Sequence, residues 1–205
     1  YDRVEGGTRA NVGFRYSASF QNGASINLVG GQSFHLAGRN SFAQQDLVNA
    51  GLDSGLESSR SDYVVSADVN NGHGFSLGLG GRFDEKNVAF RRGELSARYV
   101  TPAFGVSTSY VFIDRQPQYA YDVRRHEVNA AASLRLNEYW RTFASLSYDI
   151  EQANMYQRGI GLAYDDSCFS FSVAYARSED RYTGDATETS VMFRIGLRTI
   201  GDYEH

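Results

Sequence analysis

Along the stretch RANVGFRYSASFQNGASINL, from Arg9 to Leu28, apolar and polar side chains alternate. Ala10, Val12, Phe14, Tyr16, Ala18 and Phe20 share one parity, and Arg9, Asn11, Gly13, Arg15, Ser17 and Ser19 the other. After Gln21-Asn22-Gly23 the alternation resumes through Ala24, Ile26 and Leu28. A period of two marks a strand with one apolar and one polar face. Carried along the chain, it predicts about eleven strands: Thr8–Phe20, Ala24–Leu36, Arg60–Val69, Gly74–Asp84, Val88–Val100, Phe104–Ile113, Arg124–Leu136, Trp140–Glu151, Met155–Asp165, Cys168–Ala176 and Thr187–Thr199. Pro102 and Pro117 fall between strands, where a missing N–H removes no ladder bond.

The connections alternate in length. Gln21 to Gly23, Asn70 to His73, Thr101 to Ala103, Asn137 to Tyr139 and Asp165 to Ser167 are short. On the other side, Ala37 to Ser59, Asp114 to Val123 and Arg177 to Ala186 are long, while Glu85 to Asn87 and Gln152 to Asn154 are tight. The Asn-Gly pairs supply the positive φ that tight hairpins need. Ser41-Phe42-Ala43-Gln44 fits a capping box and Gly51 a helix end, which predicts a short helix inside the longest loop.

Alternation leaves open which solvent the apolar face meets, because a β-sandwich buries the face that a membrane barrel turns outward. Three features favour lipid. The strands run roughly 10–13 residues, near the ~9–11 of a membrane strand and above the globular mode of ~5–6. Short turns on one side and long loops on the other follow the barrel asymmetry. Aromatics collect at both ends of the apolar face: Phe20, Phe75, Tyr99, Phe104, Trp140, Tyr164 and Phe169 beside the short turns, and Phe34, Tyr63, Phe83, Phe90, Phe112, Tyr148, Tyr156 and Tyr175 toward the loops. Between them the face is aliphatic, as the two interfaces of a bilayer would require. The expected fold is all-β, an antiparallel transmembrane β-barrel segment. An odd strand count implies a larger barrel, since an open edge cannot lie in lipid with its backbone groups unpaired.

Composition adjusts this picture only slightly. The chain has 205 residues, 41% of them apolar, with 21 Gly and 2 Pro. Its mean hydropathy is negative, as a barrel with a polar lumen allows. No run approaches the ~20 apolar residues of a membrane helix. The net charge of −4 and the lack of a basic stripe exclude a nucleic-acid surface. The opening YDRVEGG reads as an internal phrase, so the expectation is a segment of a longer protein.

The polar face would line a lumen. It carries Arg15, Arg82, Glu94, Arg98, Glu127, Arg135, Arg141, Asp149, Arg158, Glu188, Arg194 and Arg198. Both signs are present, which suits a hydrated wall of compensating charges; no spacing singles out particular arginines for selectivity or phosphate binding. Catalytic patterns are missing. His35, His73, His126 and His205 are scattered without metal-ligand pairing. GLDSG (Gly51 to Gly55) lacks the serine spacing of a nucleophile elbow, and the glycines of SLGLGG (Ser76 to Gly81) fit barrel curvature better than a phosphate loop. No enzyme activity, cofactor or metal is expected. A general porin, with an inward loop narrowing its lumen, and an adhesin or receptor using Ala37 to Ser59 are the rivals to a transport role.

Three stretches carry a resemblance: YDRVEGGTRANVGFRY (Tyr1 to Tyr16), SGLESSRSDYV (Ser54 to Val64) and FRIGLRTIGDY (Phe193 to Tyr203). With DDSCFSFSVAYARS (Asp165 to Ser178), they resemble the C-terminal barrel of the LPS-assembly (LptD) family, most closely its alphaproteobacterial members. The resemblance implies an outer-membrane translocon of ~26 strands. A periplasmic N-terminal domain, and the first barrel strands, would lie outside residues 1–205. That domain would receive lipopolysaccharide from a periplasmic bridge protein, an LptE-type lipoprotein would plug the lumen, and the lipid would leave through a lateral gate between the first and last strands. By position, Thr187 to Thr199 would be one side of that gate, with Val191, Phe193, Ile195 and Leu197 outward and with Gly196 and Gly201 easing the ladder. Cys168, at a short turn, would be the candidate for a disulfide to the N-terminal domain. Phe193, Ile195 and Leu197 also fit the alternating strand that barrel assembly machinery captures by strand addition.

Overall fold

Eleven antiparallel strands account for the alternation in the computed structural model, which describes residues 7–43, 54–115, 123–180 and 186–197. They are β1 (Gly7–Ser19), β2 (Ser25–Gly38), β3 (Tyr63–Asn70), β4 (Phe75–Phe83), β5 (Phe90–Val100), β6 (Phe104–Ile113), β7 (Arg125–Arg135), β8 (Trp140–Asp149), β9 (Asn154–Asp165), β10 (Phe169–Glu179) and β11 (Ala186–Leu197). The hydrogen-bonded order follows the chain from β1 to β11. This is the up-and-down meander that hairpin turns produce when each strand pairs with the next. The chain divides into two compact units, residues 1–96 with 111–125, and residues 97–110 with 126–205.

In the first unit the register sets the faces. Phe14, Gly30, Val65 and Gly81 share one cross-strand row, and Tyr16, Leu28, Ala67 and Leu79 the next. The Phe14 ring lies over Gly30, 2.6 Å from where a Cβ there would stand. Gly13, Gly31, Val64 and Arg82 form the matching row on the opposite face. At the loop end, Phe90 stacks on Phe112 with ring centroids 5.2 Å apart and meets Phe83 at a tilt, 5.3 Å away, the clustering expected there.

The turns follow from local chemistry. Gln21-Asn22-Gly23 closes through the Phe20 N–H donating to Ala24 O at 2.8 Å, with Gly23 at φ +81°. This is a three-residue hairpin loop whose glycine takes the left-handed position. Gly72, at φ +75°, sits directly against the backbone of Asn22 and Gly23.

In the second unit Trp140, Tyr164, Phe171 and Ile195 form one apolar row. Tyr164 is the centre of the turn-side aromatic group: its ring centroid lies 5.0 Å from Trp140 and 5.3 Å from Phe169.

Burial decides the question of solvent. Among the described residues, Tyr156 is the one apolar side chain that is buried, while Phe14 is 63% and Ile195 69% exposed. A sandwich would have covered this face with a second sheet. An uncovered apolar face across every strand is the outer surface of a transmembrane β-barrel segment. No described helix is long and apolar enough to cross a membrane.

Two expectations change in detail. β3 starts at Tyr63 rather than Arg60, because residues 54–62 leave the ladder after a single bridge between Phe34 and Arg60. The helix expected in the long loop is, in its described part, a 3₁₀ turn at Ser41–Ala43. Asn40 caps it, accepting the Phe42 N–H at 3.1 Å. The expected continuation from Gln44 to Gly51 lies outside the described residues. A capping-box pairing occurs at Ser54 and Glu57, where the Glu57 carboxylate accepts the Ser54 N–H at 2.6 Å without a helix following.

Candidate functional site

On the polar face of the second unit the register aligns charges that are far apart in sequence. Arg135 pairs with Arg141, Arg141 with Ala163, Ala163 with Ser172, and Ser172 with Arg194. One lateral row across β7 to β11 therefore reads Arg, Arg, Ala, Ser, Arg. Arg98 joins Arg135 and Arg141 around a cleft of about 490 Å³ floored by Gly105, Ser133 and Ser145. A second cleft of about 530 Å³ takes in Arg135, Arg141 and Arg194. Among the described residues, Arg98, Arg135, Arg141 and Arg194 make no ion pair and no side-chain hydrogen bond. The wall was expected to compensate its own charges; in this row it does not.

Of the other arginines expected on the polar face, Arg82 differs in having a carboxylate partner. Arg82 is largely covered and pairs with Asp62, Nε to Oδ2 3.3 Å. Asp62 belongs to the segment 54–62, which folds back onto the polar face of the first unit. Asn40 anchors that segment, its amide donating to Leu56 O at 2.9 Å and Glu57 O at 3.1 Å. Arg15 lines a cleft of about 490 Å³ with Arg82 and Leu56. Arg198 lies outside the described residues.

Two side chains take the other face from the one expected. Arg158 aligns with Leu146 and Arg177, on the parity of Ile160 and Leu162, and so belongs to the apolar face. It pairs there with Glu179 at 2.8 Å, which Arg177 also reaches at 2.8 Å. Tyr156 was expected in the loop-side aromatic belt. A register shift at Ser147/Tyr148 leaves it as the extra residue, and its buried hydroxyl donates to Glu127 at 3.3 Å. A bulge re-aims one side chain in this way.

β11 ends the strand order, and its ladder to β10 runs without a shift from Leu197 to Glu188. Val191, Phe193, Ile195 and Leu197 are all exposed on the apolar parity, with Arg194 on the other. Gly196 faces Ser170, whose Oγ stands 2.6 Å from the place of a Cβ.

Cys168 is exposed, in the turn between β9 and β10. One carboxylate oxygen of Asp166 accepts the Cys168 and Phe169 N–H groups, each at 2.7 Å, and the other accepts the Tyr164 hydroxyl at 2.9 Å. The thiol is thus presented from a turn held at three points. No group of three His, Cys, Asp or Glu side chains suited to a metal occurs among the described residues.

The family model of LptD, LPS transport system D, matches residues 1–140. The chain belongs to the LptD family. The match covers all of β1 to β7 and reaches the first residue of β8. It makes the chain a component of lipopolysaccharide transport, and an all-β barrel segment suits an outer-membrane protein of that kind. A search of curated proteins finds no significant match.

Proposed function

We propose that this LptD-family chain is the C-terminal part of the barrel of an outer-membrane translocon that inserts lipopolysaccharide into the outer leaflet, with β11 as one side of a lateral gate. The observation that carries the reading is the character of β11. It turns Val191, Phe193, Ile195 and Leu197 to the lipid side, and turns Arg194 to the polar side. An amphipathic glycolipid leaving sideways needs such a boundary, because its acyl chains and its sugars require opposite environments.

Cys168 would form the disulfide to a periplasmic N-terminal domain, which in turn receives lipopolysaccharide from the periplasmic bridge protein. Its exposure at a short turn supports this assignment. An LptE-type lipoprotein would occupy the lumen, and barrel assembly machinery would capture β11 during insertion.

The test is photo-cross-linking in cells with the full-length protein. Probes at Phe193 and Ile195 are expected to capture lipopolysaccharide, and probes at Leu146 and Leu162 are not. Capture confined to polar-face positions away from β11 would remove the gate assignment. One observation favours a porin-like second reading: segment 54–62 folds onto the polar face, as a constricting loop does. Steady ion conductance of the purified protein with its lumen partner bound would favour that reading.

A further inference from the structure

We infer that the polar face of β7 to β11 holds a binding site for the anionic headgroup of a phosphorylated glycolipid, built by Arg135 and Arg141 at one end and Arg194 at the other. The inference deepens the transport reading and takes its ligand from it.

Arg135 and Arg141 stand directly opposite each other across the β7–β8 hairpin. Like charges in that position repel at a Cβ separation of about 5 Å, and they destabilise the sheet. Several other arginines of this chain have a carboxylate partner: Arg82 has Asp62, Arg91 has Asp84, and Arg158 and Arg177, which also stand opposite each other, share Glu179. Glu138 also lines the second cleft, yet among the described residues it makes no ion pair with these arginines. A bound anion would supply the missing countercharge.

Between Arg141 and Arg194 the row holds only Ala163 and Ser172. With strands about 4.8 Å apart, three strand spacings separate the two arginines, about 14 Å. Small side chains leave that length open, and the clefts on either side of Arg135 and Arg141 measure about 490 and 530 Å³. The space suits a disaccharide carrying an anionic group at each end. Guanidinium groups fit phosphate oxygens through paired N–H donors.

Arg135 and Arg141 flank the short turn Asn137 to Tyr139, and Arg194 lies close to the end of β11. All three sit at the short-turn end of the polar face, which in a barrel is the periplasmic mouth. An anionic headgroup arriving from the periplasm would meet this row first.

The test uses the full-length protein with its lumen partner, in detergent, and two fluorescent probes: bisphosphorylated lipid A and the same lipid with both phosphates removed. The double variant Arg135→Gln/Arg141→Gln is expected to bind the phosphorylated probe about tenfold more weakly, with the dephosphorylated probe changed less than twofold. Arg92→Gln, which removes an exposed arginine paired with Glu94, is expected to leave both affinities unchanged. Equal affinities of wild type and double variant for the phosphorylated probe would overturn the site while leaving the transport reading intact. Loss of the lumen partner with unchanged probe affinity would overturn it in favour of an acidic protein surface. Failure of the wild-type protein to bind either probe would overturn both readings. Should the double variant not fold, Arg194→Gln alone is read in the same way.

Discussion

The carboxylate of Asp84 and the guanidinium of Arg91 meet at 2.6 Å across the β4–β5 turn. The Arg91 hydrogen bond, with the Lys86 and Asn87 N–H groups, holds the Asp84 carboxyl at about 2, below its ordinary 3.8, against the opposing effect of its own burial. A carboxylate depressed in the folded state stabilises above its unfolded pKa and loses that stabilisation as it is protonated. The contribution is therefore full above about pH 4–5 and fades as pH falls toward 2. Asp84→Asn is expected to lower stability by up to about 1 kcal/mol at pH 7, the scale of a partly exposed pair. Urea unfolding in lipid vesicles should show the gap between wild type and variant closing at pH 2.

Val88 ends the same turn at φ +57°. A β-branched residue in the left-handed region costs roughly 1–2 kcal/mol, and its exposed side chain gains no packing in return. Val88→Gly is expected to raise stability by about 0.5–1 kcal/mol, after the entropy that glycine loses on folding. The same vesicle assay measures it, and a fall in stability would show that the valine is held there by a contact outside this chain.

Gly72 should tolerate no side chain. Its φ is positive, and a Cβ would press on the Asn22 carbonyl and the Gly23 backbone. Gly72→Ala is expected to cost about 1–2 kcal/mol and to loosen both neighbouring turns. Faster hydrogen exchange at Gly23 and Ala24, in the turn of the other hairpin, is the readout that separates this packing from strain at residue 72 alone.

Arg158 and Ile160 share a face but belong at different depths. Counted along the strand from Tyr164, Arg158 lies six residues on, or about 20 Å at ~3.3 Å per residue, and less along the normal of a tilted strand. That places the Arg158, Arg177 and Glu179 group at the far edge of the apolar band, where arginines extend to the headgroups. Spin labels at Ile160 and Arg158, in the full-length protein in bilayers, should report oxygen collisions at 160 and polar-relaxant collisions at 158. Equal oxygen access at both would mean that the band extends beyond Arg158.

Much of the fold was legible because a strand writes its faces into the chain directly. Phe14 and Tyr16 point away from Arg15 whatever lies beside them, and a bilayer imposes length and aromatic placement on each strand separately. Every strand was therefore recognisable from its own residues, and Cys168 could be placed at a turn from the runs on either side.

The site was legible only in pieces. Arg135 and Arg141 are equidistant from the centre of their turn, so counting outward from residue 138 was enough to oppose them. Bringing Arg194 into the same row required the registers of three further pairs, which no local pattern contains.

The face of Tyr156 turned on one shift at Ser147/Tyr148, because a single extra residue exchanges the two sides of a strand, whereas Arg158 follows the parity of Ile160 and Leu162. The inward course of residues 54–62 depended on Asp62 finding Arg82, a contact between parts of the chain that alternation does not relate. The sequence by itself determined which residues form strands and which side of each meets lipid, since those follow from local geometry and solvent. Only the tertiary structure decided which charges stand together, since that depends on register, and register is a property of pairs of strands rather than of any one.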